Sequence, residues 1–154
     1  MCENKRKTIA VINGPNINIL GIREQQHYGS ETLASIETHL EKLAEELQVD
    51  IMMFQSNYEG KIVDFIQENL FKLDGVVINP AAYTKTGYAI LDSLTAVNIP
   101  FIEVHLSNIS ARGGWHAESI FSSSAIGYIT GLRGFVYDLG LRGIVNYIGS
   151  NTNK

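Results

Sequence analysis

Two ionisable side chains stand two positions apart within an otherwise apolar run, Phe101-Ile102-Glu103-Val104-His105. Alternate residues of a β-strand point to the same face of a sheet, so Glu103 and His105 are predicted to be neighbours. Burying a polar group without a partner costs roughly 2–7 kcal/mol, so both groups should be paired or used. Three interpretations stay open: a structural Glu–His pair, a carboxylate that orients an imidazole for proton transfer, and a metal site completed by His116.

A second candidate pair, Arg23 and Tyr28, lies in the polar, glycine- and asparagine-rich segment 14–30. Loops of this length in a small domain are usually functional. An ordinary phenol, with a pKa of about 10, is a poor base at neutral pH, and a nearby guanidinium favours the phenolate. The pair could therefore form a base on a loop that closes over a substrate. The alternative is a surface arginine and a tyrosine packed beneath the loop.

Two asparagines follow apolar runs, Asn16 after the first and Asn79 at the end of the third. Each could offer an amide to a substrate oxygen or could cap a local turn. The chain has no GxxxxGK[ST] motif and no GxGxxG after the first run, which argues against a nucleotide or NAD site. It also has no Gly-x-Ser-x-Gly motif of the kind that carries a serine nucleophile.

Composition narrows the class of protein further. The net charge of −4 argues against nucleic acid as a partner, whereas a small anionic substrate needs only a few local donors. Cys2 is the single cysteine, so no disulfide forms within the chain, which suits the cytoplasm. No apolar run approaches the ~18 residues of a membrane span, and 154 residues fit one domain.

The elements that must position these residues follow from apolar periodicity. Short apolar runs predict five strands, at residues 7–13, 49–55, 75–79, 100–106 and 125–130. Apolar steps of three and four predict helices at 32–47, 60–71, 86–97 and 135–148. Gly140 and Gly143 weaken the middle of the last helix. The polar stretch 107–124 leaves room for one short helix.

Alternating helices and continuous apolar strands indicate an α/β fold with a parallel sheet covered on both faces. We expect a flavodoxin-like strand order of 2-1-3-4-5, with ligands bound beyond the carboxyl ends of strands one and three. The predicted domain covers residues 8–148. Residues 1–7 are expected to be a disordered leader, and residues 149–154 a flexible tail.

Four segments resemble motifs of the type II 3-dehydroquinate dehydratases: residues 13–29, 55–60, 79–84 and 103–108. The resemblance extends from about Thr8 to Ile148. It implies a flavodoxin-like enzyme of the shikimate pathway of aromatic amino acid biosynthesis, and a dodecamer built from trimers. It further implies anti elimination of water from 3-dehydroquinate through an enolate, giving 3-dehydroshikimate, with no metal or organic cofactor.

The resemblance also implies the roles of individual residues. Tyr28 matches the base that takes the proton next to the ketone, and Arg23 matches the residue that activates it. Asn16 matches a group that holds a water against the enolate. His105 matches the general acid, oriented by Glu103. The implied substrate-binding set is Asn79, Lys85, Asp92, Leu106, Ser107, Arg112 and His116, of which Leu106 and Ser107 match the receptor of the substrate carboxylate.

Several positions depart from the family pattern: Gln25 replaces a proline, Tyr58 a histidine, Lys85 a histidine, Gly113-Gly114 an acidic stretch and His116 an arginine. An arginine-to-histidine change removes a bidentate donor. The proton-transfer set is intact while the substrate-binding set is altered. Two alternatives to the dehydratase therefore stay open: a paralogue that acts on a different polar substrate, and a catalytically silent binding relative.

Overall fold

In the computed structural model, which describes residues 5–151, the apolar runs form one five-stranded sheet. The strands are β1 Thr8–Asn13, β2 Asp50–Gln55, β3 Gly75–Asn79, β4 Phe101–His105 and β5 Gly127–Thr130. All neighbouring strands are parallel, and their order is β2-β1-β3-β4-β5. The predicted α/β class and flavodoxin-like order are confirmed, and the carboxyl ends of β1, β3 and β4 share one edge.

The helices are α1 Gln25–Tyr28, α2 Leu33–Glu46, α3 Glu59–Glu68, α4 Tyr88–Ala96, α5 Ile109–Arg112 and α6 Phe135–Asn151. Short 3-10 turns lie at Ile17–Ile19, Ala81–Thr84 and Gly114–Ala117. The predicted loop 14–30 therefore contains the first 3-10 turn and α1. The polar stretch after β4 contains α5 and the third 3-10 turn. None of the helices within residues 5–151 combines the length and apolar content needed to cross a bilayer.

Each central strand buries both faces, as continuous apolar runs predict. In β1, Ile9 and Val11 belong to the core beneath α2 and α6, whereas Ala10 and Ile12 belong to the core beneath α3 and α4. All four side chains are almost fully buried. The sheet is thus held rigidly between two helical layers, and its carboxyl edge can hold side chains in fixed positions.

The last helix, α6, is continuous through Gly140 and Gly143 because these two glycines face the sheet. A Cβ at Gly140 would lie 3.0 Å from Val77 Cγ1, and one at Gly143 would lie 2.9 Å from Ile102 Cδ1. Close packing against the sheet thus overrides the low helix propensity of glycine. The helix extends to Asn151, the last described residue, so the first three residues of the predicted tail are helical.

The predicted leader is only partly described, because residues 1–4 lie outside the described part of the chain, as do residues 152–154. Arg6 donates to the Glu45 carboxylate at 3.1 Å, and Lys7 Nζ lies 3.1 Å from Asp74 Oδ1. These two residues therefore contact the domain. The disordered leader at residues 1–7 and the flexible tail stay predictions.

The chain segments that leave β1 and β3 cross each other at close range. The Gly14 N–H donates to the Asn79 carbonyl at 2.8 Å, and a Cβ at Gly14 would lie 2.3 Å from the Pro80 carbonyl oxygen. Only glycine permits this approach without a backbone shift. The crossing brings Asn16 and Asn79 to the same point of the sheet edge, where the strand order reverses.

Candidate active site

One cavity lies beyond the carboxyl ends of β1, β3 and β4, at the position predicted from the strand order. Its walls come from the segment after β1, the turn after β3, the end of β4 and the segment around α5. Nine of the predicted site residues line it: Asn16, Arg23, Tyr28, Asn79, His105, Leu106, Ser107, Arg112 and His116.

The Tyr28 phenol oxygen lies between two guanidinium groups in this cavity. It accepts hydrogen bonds from Arg23 Nη2 at 2.9 Å and from Arg112 Nη1 at 2.6 Å. The Arg23 guanidinium also lies over the Tyr28 ring, 4.0 Å from its centroid. Tyr28 is only 8% exposed, so little water screens these charges. Two guanidiniums thus donate to one phenol oxygen inside the cavity.

Glu103 and His105 form the buried pair that their spacing predicts. His105 Nε2 lies 2.7 Å from Glu103 Oε1, and neither side chain is more than 5% exposed. The imidazole lines the cavity while the carboxylate lies behind it. The Tyr128 ring packs edge-on against the imidazole at 5.9 Å between centroids. Burial and the Glu103 charge raise the pKa of Tyr128 to about 12, so it stays a neutral phenol.

A residue that the sequence did not single out, Ser119, completes this pair. Its hydroxyl lies 2.7 and 2.9 Å from the two Glu103 carboxylate oxygens. The same oxygen accepts the backbone N–H groups of Phe121 and Ser122 at 3.0 and 3.1 Å. The only feature of the sequence that could have indicated this role is the general tendency of serine to cap turns. The turn that it caps holds Glu103 in place behind His105.

Asn79 is held by a network in the core. Its Nδ2 donates to the Tyr137 hydroxyl at 3.0 Å, and its Oδ1 accepts the Ala81 N–H at 3.2 Å. The Tyr137 hydroxyl donates to Asn13 Oδ1. Burial raises the pKa of Tyr137, against the opposing effect of its bond to Asn79, so it remains a neutral donor. Asn79 therefore holds the turn after β3 and also borders the cavity. Its contact with a substrate oxygen stays a prediction.

Asn16 lies in a left-handed turn, with φ of 67°, a conformation that asparagine tolerates better than most residues. Its backbone N–H donates to Asn57 Oδ1 at 3.0 Å. The turn is thus tied to the segment after β2, while Asn16 itself lines the cavity.

On the outer wall, Arg112 contacts more than the phenol. Its Nη2 lies 3.0 Å from His116 Nε2, and its Nη1 lies 3.5 Å from the Ser107 hydroxyl. Trp115, which the sequence reasoning missed, stacks on the His116 ring at 3.7 Å between centroids. Partial burial and the charge of Arg112 lower the pKa of His116, an effect that Glu24 opposes. Arg112, predicted as a substrate contact, is thus also a partner of Tyr28.

Two predicted substrate contacts, Lys85 and Asp92, do not line this cavity, so their contact with a substrate stays a prediction. Lys85 pairs with Glu118 at 2.8 Å instead of facing the cavity. Asp92 lines a separate surface groove beside Tyr88 and Leu91. Both residues belong to the segment after β3, and both follow its 3-10 turn.

The metal interpretation of Glu103, His105 and His116 depends on their convergence. Glu103 and His105 bond to each other, whereas His116 bonds to Arg112. Among residues 5–151, no three histidine, cysteine, aspartate or glutamate side chains come together in a way that could hold a metal ion. The geometry instead groups a cation-flanked phenol, a carboxylate-held imidazole and two asparagines around one cavity, a set suited to proton transfer.

The chain is similar to proteins that carry this fold. Residues 7–145 match the family described as Dehydroquinase class II. A 3-dehydroquinate dehydratase from Endomicrobium trichonymphae is 51% identical over 91% of this chain and 98% of its own length. A catabolic 3-dehydroquinase from Aspergillus clavatus is 53% identical over 85% of this chain and 87% of its own length.

Among solved structures, the type II dehydroquinase from Butyrivibrio crossotus superposes with a TM-score of 0.87 at 39% identity. The superposition covers 90% of this chain and 97% of the other. The family match covers most of the chain, and the structural match extends over most of both chains. The chain therefore belongs to the class II dehydroquinase family.

Proposed function

We propose that this protein is a hydro-lyase that removes water from 3-dehydroquinate by anti elimination, giving 3-dehydroshikimate. Support comes from family membership and from relatives about half identical that bear the name 3-dehydroquinate dehydratase. The observation that carries the mechanism is the Tyr28 oxygen, held between two guanidiniums in the cavity that His105 also lines.

In the first step, the Tyr28 phenolate takes a proton from the carbon next to the substrate ketone. Arg23 and Arg112 stabilise the phenolate beforehand, and Tyr28 becomes a neutral phenol. The electron pair of the broken C–H bond moves into an enolate. Asn16 borders the same cavity and holds a water that donates to the enolate oxygen.

In the second step, the enolate re-forms the ketone and expels the hydroxyl at the neighbouring carbon. His105 supplies the proton that converts this hydroxyl into water. Because Nε2 is bonded to Glu103, the proton comes from Nδ1 of the imidazolium. Glu103 stabilises the imidazolium before the transfer, and Ser119 keeps the carboxylate in position.

The substrate carboxylate is received by Ser107 and the backbone at Leu106, with Arg112 beside them. Asn79 offers the second N–H of its amide to a substrate hydroxyl. Lys85 and Asp92 have no role within the cavity of their own chain. Lys85 and His116 are two of the departures from the family pattern that suggested another substrate. Lys85 lies outside the cavity, whereas His116 borders it. We propose no second function on that basis.

We further propose a cytoplasmic enzyme that assembles as a dodecamer built from trimers. The single cysteine suits a reducing compartment. Support for assembly comes from large apolar side chains that are mostly exposed in the isolated chain, including Tyr88, Leu132 and Phe135. The groove beside Tyr88, which Asp92 also lines, offers a concave contact for a second copy.

Turnover is tested by following the ultraviolet absorbance of the conjugated product from 3-dehydroquinate. We expect turnover by the wild type and a fall in kcat on the order of 10³-fold in Tyr28→Phe, because the phenol cannot ionise. Tyr147→Phe removes a phenol on the exposed side of α6 and should be as active as wild type. Nearly unchanged kcat in folded Tyr28→Phe would contradict the proposed base.

A further inference from the structure

Arg112 is bound from two sides. Its Nη1 lies 2.6 Å from the Tyr28 oxygen, and its Nη2 lies 3.0 Å from His116 Nε2. A guanidinium has only donors, so the atom on each side must accept. His116 Nε2 therefore carries a lone pair in this arrangement, and its imidazole is neutral. Arg112 therefore donates one hydrogen bond to a phenol oxygen and another to an imidazole nitrogen.

The surroundings of His116 favour the neutral form. Arg112, Arg23 and His27 all disfavour a positive charge there, and Glu24 is the acidic group that opposes them. Glu24 is itself 3.7 Å from Arg23, which offsets part of its charge. Burial is the largest effect and, with Arg112, keeps the pKa of His116 below its ordinary value. The acceptor is thus present throughout the neutral range.

Local backbone geometry turns His116 back towards Arg112. Gly113 and Gly114 both adopt left-handed conformations, with φ of 66° and 58°, where a residue with a side chain would be strained. The 3-10 turn that follows them presents Trp115 and His116 together, with the two rings stacked. The two glycines therefore set the backbone path that places His116 beside Arg112.

We propose that His116 is a positioning residue whose unprotonated Nε2 accepts a hydrogen bond from Arg112 and so holds that guanidinium on the Tyr28 oxygen. The inference rests on the proposed function, because holding Arg112 on the Tyr28 oxygen promotes turnover only where Tyr28 is the base. An arginine at position 116 has no acceptor and could not do this. The histidine is thus a working part of this site and not only the loss of a substrate contact.

The role is present above the pKa of His116 and is lost as pH falls through it. Protonation gives the ring two N–H donors and a positive charge, which both removes the acceptor and repels Arg112. The Tyr28 oxygen then loses the donor that Arg112 provides. Acidification should therefore lower kcat/KM by a route that does not involve His105.

The kinetic test uses pH profiles of kcat/KM for 3-dehydroquinate. His116→Gln keeps an acceptor oxygen that does not titrate, so its activity at pH 8 should stay within about threefold of wild type. His116→Ala lacks the acceptor and should lose kcat/KM roughly tenfold at pH 8. As pH falls from 8 to 5.5, the ratio of His116→Gln to wild-type activity should rise.

The matched control is His39→Gln, which removes an imidazole that pairs with Asp138 away from the cavity; its activity ratio to wild type should stay flat with pH. Full activity of His116→Ala at pH 8 would overturn the proposal, as would a flat ratio for His116→Gln.

A second measurement does not depend on turnover. Imidazole NMR signals of the ligand-free protein, assigned with His116→Gln, report the titration of His116. Because Arg112 disfavours the imidazolium, Arg112→Gln should raise the pKa of His116. No change in that pKa would overturn the coupling. Absence of 3-dehydroquinate turnover in the wild type, with the coupling intact, would instead reject the proposed function.

Discussion

At the scale of single residues, the site depends on which atoms donate and which accept. Ser119 illustrates this, because a hydroxyl has one proton and two lone pairs. Its lone pairs accept the N–H groups of Phe121 and Ser122, so its proton is left for Glu103. The carboxylate is thereby fixed at the oxygen that meets His105. A backbone turn thus sets the orientation of the proposed general acid.

Ser119→Ala should therefore reduce kcat about tenfold with little change in KM, because Glu103 is buried and loses a partner. Ser119→Thr keeps the hydroxyl and should restore most of kcat. Ser122→Ala serves as the control, since its own hydroxyl contacts only the Ser119 carbonyl, at 3.5 Å. Steady-state kinetics measure all three variants. Equal kcat in Ser119→Ala and Ser122→Ala would show that Ser119 does not position the carboxylate.

At the scale of elements, the crossing of β1 and β3 determines where the two asparagines lie. The backbones meet at Gly14 and Pro80 more closely than a methyl group permits. Asn13 and Asn79 at the strand ends both bond to the Tyr137 hydroxyl, which α6 supplies from beneath. Two strands and one helix thus converge on a single point under the cavity.

Gly14→Ala should destabilise the protein by roughly 1–3 kcal/mol, because the new methyl group meets a backbone carbonyl that cannot move aside. Thermal unfolding at matched protein concentration measures the effect, as a lower Tm. Gly60→Ala is the control, since a Cβ there meets no atom within 4 Å and α3 gains helix propensity. If Gly14→Ala were as stable as Gly60→Ala, the close crossing would not be required for folding.

At the scale of the whole molecule, two helical layers cover the sheet but leave large apolar side chains exposed. Tyr88 is 66% exposed and Phe135 is 56% exposed. Extensive exposed apolar surface commonly marks a contact between proteins. The isolated chain therefore offers surface that further copies can cover, and Asp92 borders one such area.

Light scattering of the purified protein at micromolar concentration should give a mass about twelve times that of one chain, as the proposed dodecamer requires. Tyr88→Lys places a charge in the proposed contact and should reduce that mass, because a buried unpaired charge is costly. Lys42→Glu, a charge change on α2, is expected to leave the mass unchanged. A monomeric wild type would contradict the assembly.

Several features of this protein were determined by the sequence alone, because the physics behind them is local. Apolar runs and steps of three and four predict the strands and helices, and their alternation predicts the parallel order. The period of two along β4 places Glu103 beside His105. The order reversal then predicts the edge at which the cavity forms. Arg23 and Tyr28, five residues apart, also meet within one segment.

Only the tertiary structure decided the contacts between distant segments, because these depend on how loops return to the sheet edge. Arg112 reaches Tyr28 across 84 positions of sequence, and Ser119 reaches back 16 positions to Glu103. Tyr137 looks like any aromatic core residue until α6 places it under Asn79. Lys85 directly follows a matching motif, yet it pairs with Glu118 and does not line the cavity. Local patterns specify elements, whereas the site is a product of their packing.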